Sequence, residues 1–184
     1  MVSSLLPTRE QAIELLHENK CHPQVIKHCI AVADLAVETA NKLVAKGLSV
    51  NVDLVLAGAL LHDLGRSKSH TVDHALVGAK IAESIGLPEP VIGIIKRHVG
   101  AGITIEEAMA FGWPKDNYMP ESLEEKIVSY ADKLISKSKR VPIETEIKHL
   151  QKENRPQAAE RVRKLNEEIT NLLGNNYDQP NITR

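Results

Sequence analysis

The stretch Asn51-Val-Asp-Leu-Val-Leu-Ala-Gly-Ala-Leu-Leu-His-Asp-Leu-Gly65 reads as one apolar helix with chemistry at its end. Asn51 can cap it, Leu54, Ala57 and Leu61 run along it, and Gly65 supplies a stop signal. His62 and Asp63 then fall in the last turn. An imidazole beside a charged carboxylate in a half-buried site is costly unless something compensates, and a metal ion compensates both. Successive helical side chains diverge by about 100°. A long imidazole and a short carboxylate can nevertheless converge on an ion near the helix end. Taken alone, the pair also reads as a capped histidine beside a surface aspartate.

Working outward, Ile26, Ile30, Ala33, Val37, Ala40 and Val44 alternate at spacings of four and three, the period of a helix face, and Gly47 ends that helix. A second stripe, Val32, Leu35 and Leu43, marks a helix packed on more than one side, and His28 lies on that side. Downstream, Asp73 can cap a helix through Val77, Ile81 and Ile85 that ends at Gly86. Pro88 and Pro90 open another through Ile94, Ile95 and His98, ended by Gly100. His74 opens the first of these and His98 closes the second. Thr104 with Glu107 and Ser122 with Glu125 have capping-box spacing, which starts short helices at Ile105 and Leu123. The second of them carries Tyr130-Ala131-Asp132. Between them, Phe111 to Pro120 is an irregular, aromatic-bearing segment that either lines a pocket or packs as a surface loop.

After Arg140 the composition turns strongly charged. Pro156 begins a helix with Val162, Leu165, Ile169 and Leu172 on one face, ended by Gly174. That stripe requires a partner, either the core or a second subunit in a homodimer. Asn175 to Arg184 reads as a disordered tail. With no strand-like alternation of useful length, the class is all-α. The expected organisation is a helical domain over 1–140, a helical extension of the same domain over 141–174, and the tail over 175–184.

The chain has 184 residues and is 42% hydrophobic, enough for one self-sufficient core. Its 23 Lys and Arg nearly cancel its 24 Asp and Glu, so no overall field draws it to nucleic acid or an anionic membrane. The longest apolar run, Leu54 to Leu61, falls far short of the roughly 20 residues a membrane span needs. Met1 to Pro7 lacks the charged and apolar regions of a secretion signal, which argues for the cytoplasm. Cys21 and Cys29 are expected as free thiols, with Cys29 packed in the core.

The order of the remaining candidates carries further weight. His28 in Ile-Lys-His-Cys is followed by His62-Asp-Leu-Gly-Arg66 and by His74 in Asp-His-Ala-Leu-Val-Gly-Ala. Then come His98 in Lys-Arg-His-Val-Gly and Asp132 in Tyr-Ala-Asp-Lys-Leu. As a set, from about residue 21 to 134, these resemble the HD superfamily of metal-dependent phosphohydrolases in its His-Asp-hydrophobic-Gly (HDIG) form. The resemblance implies an HD-domain helical bundle. It implies one metal held by His28, His62, Asp63 and Asp132, and a second held by His74 and His98 with Asp63 bridging. Read without it, His74 is also a helix cap and His98 a helix-end cation. Val99 follows His98 where some two-metal relatives carry a second histidine, which weighs against carrying their specific activities over.

Mixed imidazole and carboxylate ligands suit manganese, iron, cobalt, nickel or zinc, with magnesium less favoured. The expected activity is hydrolysis of a small phosphate ester, a nucleotide monoester or diester, through a metal-activated water. Asp63 and Arg66 are the expected catalytic residues, with Arg66 clamping phosphoryl oxygens. Lys68, Arg97 and Lys133 also flank the ligands, but each alone reads as a solvated surface cation. His70 reads as a surface histidine or a general acid, and His17, His22 and His149 as surface residues. Two other functions fit the same residues, a diiron oxygenase of the superfamily and a regulatory domain that binds a ligand without turnover.

Overall fold

Reciprocal caps start three of the helices in the computed structural model, which describes residues 5–174 of the chain. The order is α1 (Arg9–Glu18), α2 (Pro23–Ala45), α3 (Val52–Leu61), α4 (His74–Ser84), α5 (Glu89–Arg97), α6 (Ile105–Ala110), α7 (Leu123–Lys133), α8 (Ile143–Lys152) and α9 (Pro156–Leu173). A two-residue hairpin, β1 (Ile135–Ser136) with β2 (Lys139–Arg140), joins α7 to α8. The architecture is a helical bundle, as the periodicity predicts. The hairpin is too short to carry the alternation by which a strand is recognised.

In α6 and α7 the boxes are the predicted ones, Thr104 with Glu107 and Ser122 with Glu125. The third, Thr8 with Gln11, starts α1, a helix the sequence reading passes over. Such a cap is worth about 1 kcal/mol. The 23-residue α2 is the central element, buried on several sides through Ile26, Cys29, Val32, Ala33, Leu35, Ala36, Ala40 and Leu43. It packs on α3, α7 and α9. Both cysteines are free and buried.

Two expected helix signals act differently from the way they read. The α3 helix stops at Leu61, His62 is its C-cap, and Asp63 precedes a 3-10 turn over Leu64–Ser67. Gly65 is therefore not the stop signal. A Cβ there would sit 1.9 Å from the His74 carbonyl oxygen and 2.5 Å from the Gly78 nitrogen, so glycine is required for the turn to lie against α4. Asp73 does stand at the N-cap of α4, but its side chain makes no cap hydrogen bond. Its carboxylate instead accepts from the Trp113 indole at 2.6 Å and the Thr71 hydroxyl at 3.1 Å.

The apolar stripe of α9 finds its partner within the chain. Ala158, Ala159, Val162, Leu165, Ile169 and Leu173 are buried against α7, α8 and the 3-10 turn Val99–Ala101, while Leu172 lies at the margin. Arg161 ties the same helix to Glu107 at 2.8 Å and to the Gly102 carbonyl at 3.1 Å. The face that suggested a homodimer is thus covered by the chain itself. The aromatic segment packs as well: Trp113 and Tyr118 join Ala75, Ile103 and Ala108 in a small second core. The tail, Asn175 to Arg184, and residues Met1 to Ser4 lie outside the described residues. No described helix is long and apolar enough to cross a membrane.

Candidate metal centre

Five helices bring the six predicted ligands to one place. His28 comes from α2, His62 caps α3 with Asp63 beside it, His74 opens α4, His98 caps α5 and Asp132 lies near the end of α7. His62, His74 and His98 are buried, and Asp63 is 8% exposed.

One local device recurs in all four histidines. The Nδ1 of His28 meets the Lys137 carbonyl at 2.9 Å, that of His62 the Ala59 carbonyl at 2.7 Å, that of His74 the Thr71 carbonyl at 2.6 Å and that of His98 the Ile95 carbonyl at 2.8 Å. A carbonyl can only accept, so each Nδ1 donates. The Nε2 on the other side of each ring is left free to bind a cation. This is the arrangement that orients histidines toward metals. Three of the four carbonyls lie three residues before their histidine. The fourth, on Lys137, is supplied by the turn of the hairpin, where Lys137 has φ 59°, in the left-handed region.

Those Nε2 atoms converge with the two carboxylates in two clusters that share Asp63. In the first, His28 Nε2 lies 3.0 Å from Asp132 Oδ1 and 4.0 Å from Asp63 Oδ2. His62 Nε2 lies 3.5 Å from Asp132 Oδ1 and 3.8 Å from Asp63 Oδ2. In the second, the Nε2 atoms of His74 and His98 are 3.0 Å apart, and they lie 3.2 and 3.6 Å from Asp63 Oδ1. Asp63 thus turns one oxygen to each cluster.

The residues fit a divalent metal ion. Ligands about 2.1 Å from a common ion are about 3.0–3.4 Å apart at right to tetrahedral angles, close to the shorter of these separations. His62 Nε2 is fully buried without a hydrogen-bond partner, which is costly unless a cation answers it. Burial raises the Asp63 carboxyl, but His62, His74 and His98 outweigh it and hold it well below the usual range. Asp132 is likewise raised by burial and driven well below by Lys133, His28 and His62. Burial pushes the His98 imidazole down to about 4, so His98 is neutral near pH 7 rather than a helix-end cation. Burial lowers the His62 imidazole, but Asp63 and Asp132 outweigh it and raise it above its ordinary value. Two carboxylates held ionised beside converging imidazole nitrogens in so small a volume constitute a site for positive charge. Two sets of ligand atoms lie close enough together to hold an ion, His28 with His62 and Asp132 and His62 with Asp63 and His98, and His74 stands beside the second at 3.2 Å from Asp63 Oδ1. These two His/Asp clusters are consistent with metal binding of the kind typical of HD domains.

A cavity of about 840 Å³ opens over the clusters, with His28, Asp63, His74, His98 and Asp132 at its wall. Arg66 lines it, with Nε 3.3 Å from Asp63 Oδ1 and Nη1 2.8 Å from the His70 carbonyl. Lys133 also lines it. It is no solvated cation: its side chain is 9% exposed and its Nζ lies 2.5 Å from Asp132 Oδ2. Arg97 is held off the cavity by Glu125 at 2.5 Å and the Asn117 carbonyl at 3.2 Å, and Lys68 is exposed away from it. His70 reaches the rim. His149, expected as a plain surface residue, lies on the cavity wall 3.3 Å from Glu153, and His22 caps α2 by accepting from the Gln24 amide. The wall also takes Glu146, Leu150 and Arg155 from the C-terminal helices and the segment between them. Their sequence carries no motif, so only the packing of α8 and α9 reveals them.

A helical bundle with a paired His/Asp centre is the architecture of an HD domain. Residues 25–137 match the HD domain family, and the chain belongs to it. An uncharacterized protein of Methanocaldococcus jannaschii is 46% identical over 167 residues, which cover 89% of this chain and 98% of that one. The tRNA (cytidine(56)-2'-O)-methyltransferase of Thermoplasma volcanium is 37% identical over 95% of this chain. The match takes in 50% of that enzyme, so the chain spans about half its length. Among solved structures, the HD domain of the L. monocytogenes phosphodiesterase PgpH in complex with cyclic-di-AMP has a TM-score of 0.55. It is 20% identical and covers 90% of this chain and 98% of that one, a likeness of fold.

Proposed function

We propose that the chain is a cytoplasmic metal-dependent phosphohydrolase acting on a small phosphate ester, a nucleotide monoester or diester. The observation that carries this reading is the convergence of four histidine Nε2 atoms and two carboxylates, with His28, Asp63, His74, His98 and Asp132 on the wall of an open cavity that also bears Arg66 and Lys133, and His62 buried behind them. His28, His62, Asp63 and Asp132 would hold one metal, and His74 and His98 with Asp63 a second. When bound, such metals lower the pKa of coordinated water toward neutrality and polarise a phosphoryl oxygen. Asp63, with one oxygen toward each cluster, would tie the two sites together. Arg66, anchored to Asp63 and the His70 carbonyl, offers its remaining N–H groups to phosphoryl oxygens. Lys133 secures Asp132 in place of a substrate contact. The cavity volume suits a nucleotide, and the cyclic dinucleotide held by PgpH is a ligand of that chemical class.

The test is a screen of full-length protein reloaded with manganese, cobalt or iron against phosphomonoesters and phosphodiesters, with oxygen uptake followed in parallel. Phosphate-ester cleavage without oxygen consumption is expected. Substrate-dependent oxygen uptake would assign the site to oxidation, and binding without turnover would leave a regulatory domain.

A further inference from the structure

The cavity wall carries one buried cationic atom that nothing in the described structure answers. Arg155 stands at the N-cap of α9, beyond the residues that match the HD family, and lines the same cavity as His28, Asp63, His98 and Asp132. Its Nη2 is buried and has no hydrogen-bond partner among the described residues. A Cβ built on Gly100 would lie 3.6 Å from that Nη2, so the guanidinium stands against the 3-10 turn that follows His98.

The neighbouring charges differ. Arg66 is answered by Asp63, Lys133 by Asp132, and Glu153 faces His149 at 3.3 Å. The field of Glu146 already falls on Lys133. Lys137 is exposed and keeps its water. Arg155 alone on this wall has a guanidinium nitrogen stripped of water without gaining an acceptor, an arrangement that disfavours folding. A bound anion would supply the missing acceptor.

We propose that Arg155 binds a second phosphoryl group of the substrate, separate from the one that faces the His/Asp clusters. The substrate then carries at least two phosphoryl groups, as in a nucleoside bisphosphate or a short oligonucleotide. A guanidinium matches phosphoryl oxygens in charge and in its forked N–H geometry. A cavity of about 840 Å³ is far larger than one phosphate requires. The assignment of the first phosphoryl group rests on the phosphohydrolase reading, whereas the anion site at Arg155 does not.

The experiment is calorimetric titration of the full-length protein, as purified and again after chelator, with adenosine 3′,5′-bisphosphate and with adenosine 5′-monophosphate. Wild type should bind the bisphosphate at least about tenfold tighter than the monophosphate. Arg155→Ala and Arg155→Met should erase that ratio, and Arg155→Lys should keep part of it. Because the guanidinium nitrogen is unpaired, Arg155→Met should melt no lower than wild type. Equal discrimination in wild type and Arg155→Met, no preference in wild type, or a melting point several degrees lower in Arg155→Met would each overturn the proposal. An Arg155-dependent preference in a protein that cleaves no phosphate ester would sustain the subsite and remove the hydrolase reading.

Discussion

The Nε2 atoms of His74 and His98 face each other at 3.0 Å while the Nδ1 of each ring is committed to a backbone carbonyl. Two neutral imidazoles so oriented oppose lone pair to lone pair, an arrangement that needs a cation between them or a proton on one. Asp63 Oδ1, 3.2 Å from one and 3.6 Å from the other, adds negative charge at the same point. The second cluster is therefore built for positive charge, and it shares Asp63 with the first.

His74→Ala should remove that opposition and leave the first cluster whole. In the two-metal reading the bound metal falls by about one equivalent, and turnover falls at least about tenfold where a second ion stabilises the attacking or leaving oxygen. Elemental analysis beside steady-state kinetics checks this. Unchanged metal content and unchanged turnover would reduce the centre to one ion.

Asp63→Ala should act on both clusters, because Oδ1 faces His74 and His98 while Oδ2 faces His28 and His62. Loss of most bound metal and of phosphatase activity is expected. A variant that retained full metal content would contradict the bridging role.

Arg66→Ala should raise KM and lower kcat/KM by about 10- to 100-fold if the guanidinium holds phosphoryl oxygens in ground and transition states alike. Arg66→Lys should recover only part, since an ammonium lacks the two-pronged geometry. Because Arg66 also touches Asp63 at 3.3 Å, metal content must be measured in the same samples. Unchanged metal with wild-type kinetics would leave Arg66 a cation that merely steadies Asp63.

Gly65→Ala tests the frame that places the site. The added methyl meets the His74 carbonyl at 1.9 Å, and backbone cannot swing aside as a side-chain tip can. Overpacking of this kind costs about 1–3 kcal/mol, which for a chain of this size lowers Tm by about 2–12 °C. Thermal melts should show that loss together with weakened metal binding, since the turn and α4 carry Asp63's neighbours and His74. A wild-type Tm would mean that the turn and α4 do not approach so closely.

Most of the helices, though not α1 or α8, and the convergence of the six ligand candidates are legible in the sequence for different reasons. Helical periodicity placed α2, α3, α5 and α9, and the capping boxes of α6 and α7 are local hydrogen-bond patterns that sequence spacing states directly. Grouping His28, His62, Asp63, His74, His98 and Asp132 required the motif order, because the distances among them depend on helix packing that no single segment encodes. Gly65 looked like a stop signal because a helix-ending glycine and a close-approach glycine are spelt alike. Arg155 and His149 were unreadable as wall residues, since their place depends on how α8 and α9 fold back over the cavity. The carbonyl of Lys137 was equally hidden, because a backbone acceptor has no residue signature.

The most direct test of the central claim is elemental analysis of full-length protein that has never met a chelator, followed by chelation and reloading. A divalent transition metal at one or more equivalents per chain is expected, removed by chelator and restored by manganese, cobalt, iron, nickel or zinc. Protein that carries no metal as purified and takes up none on reloading would contradict it.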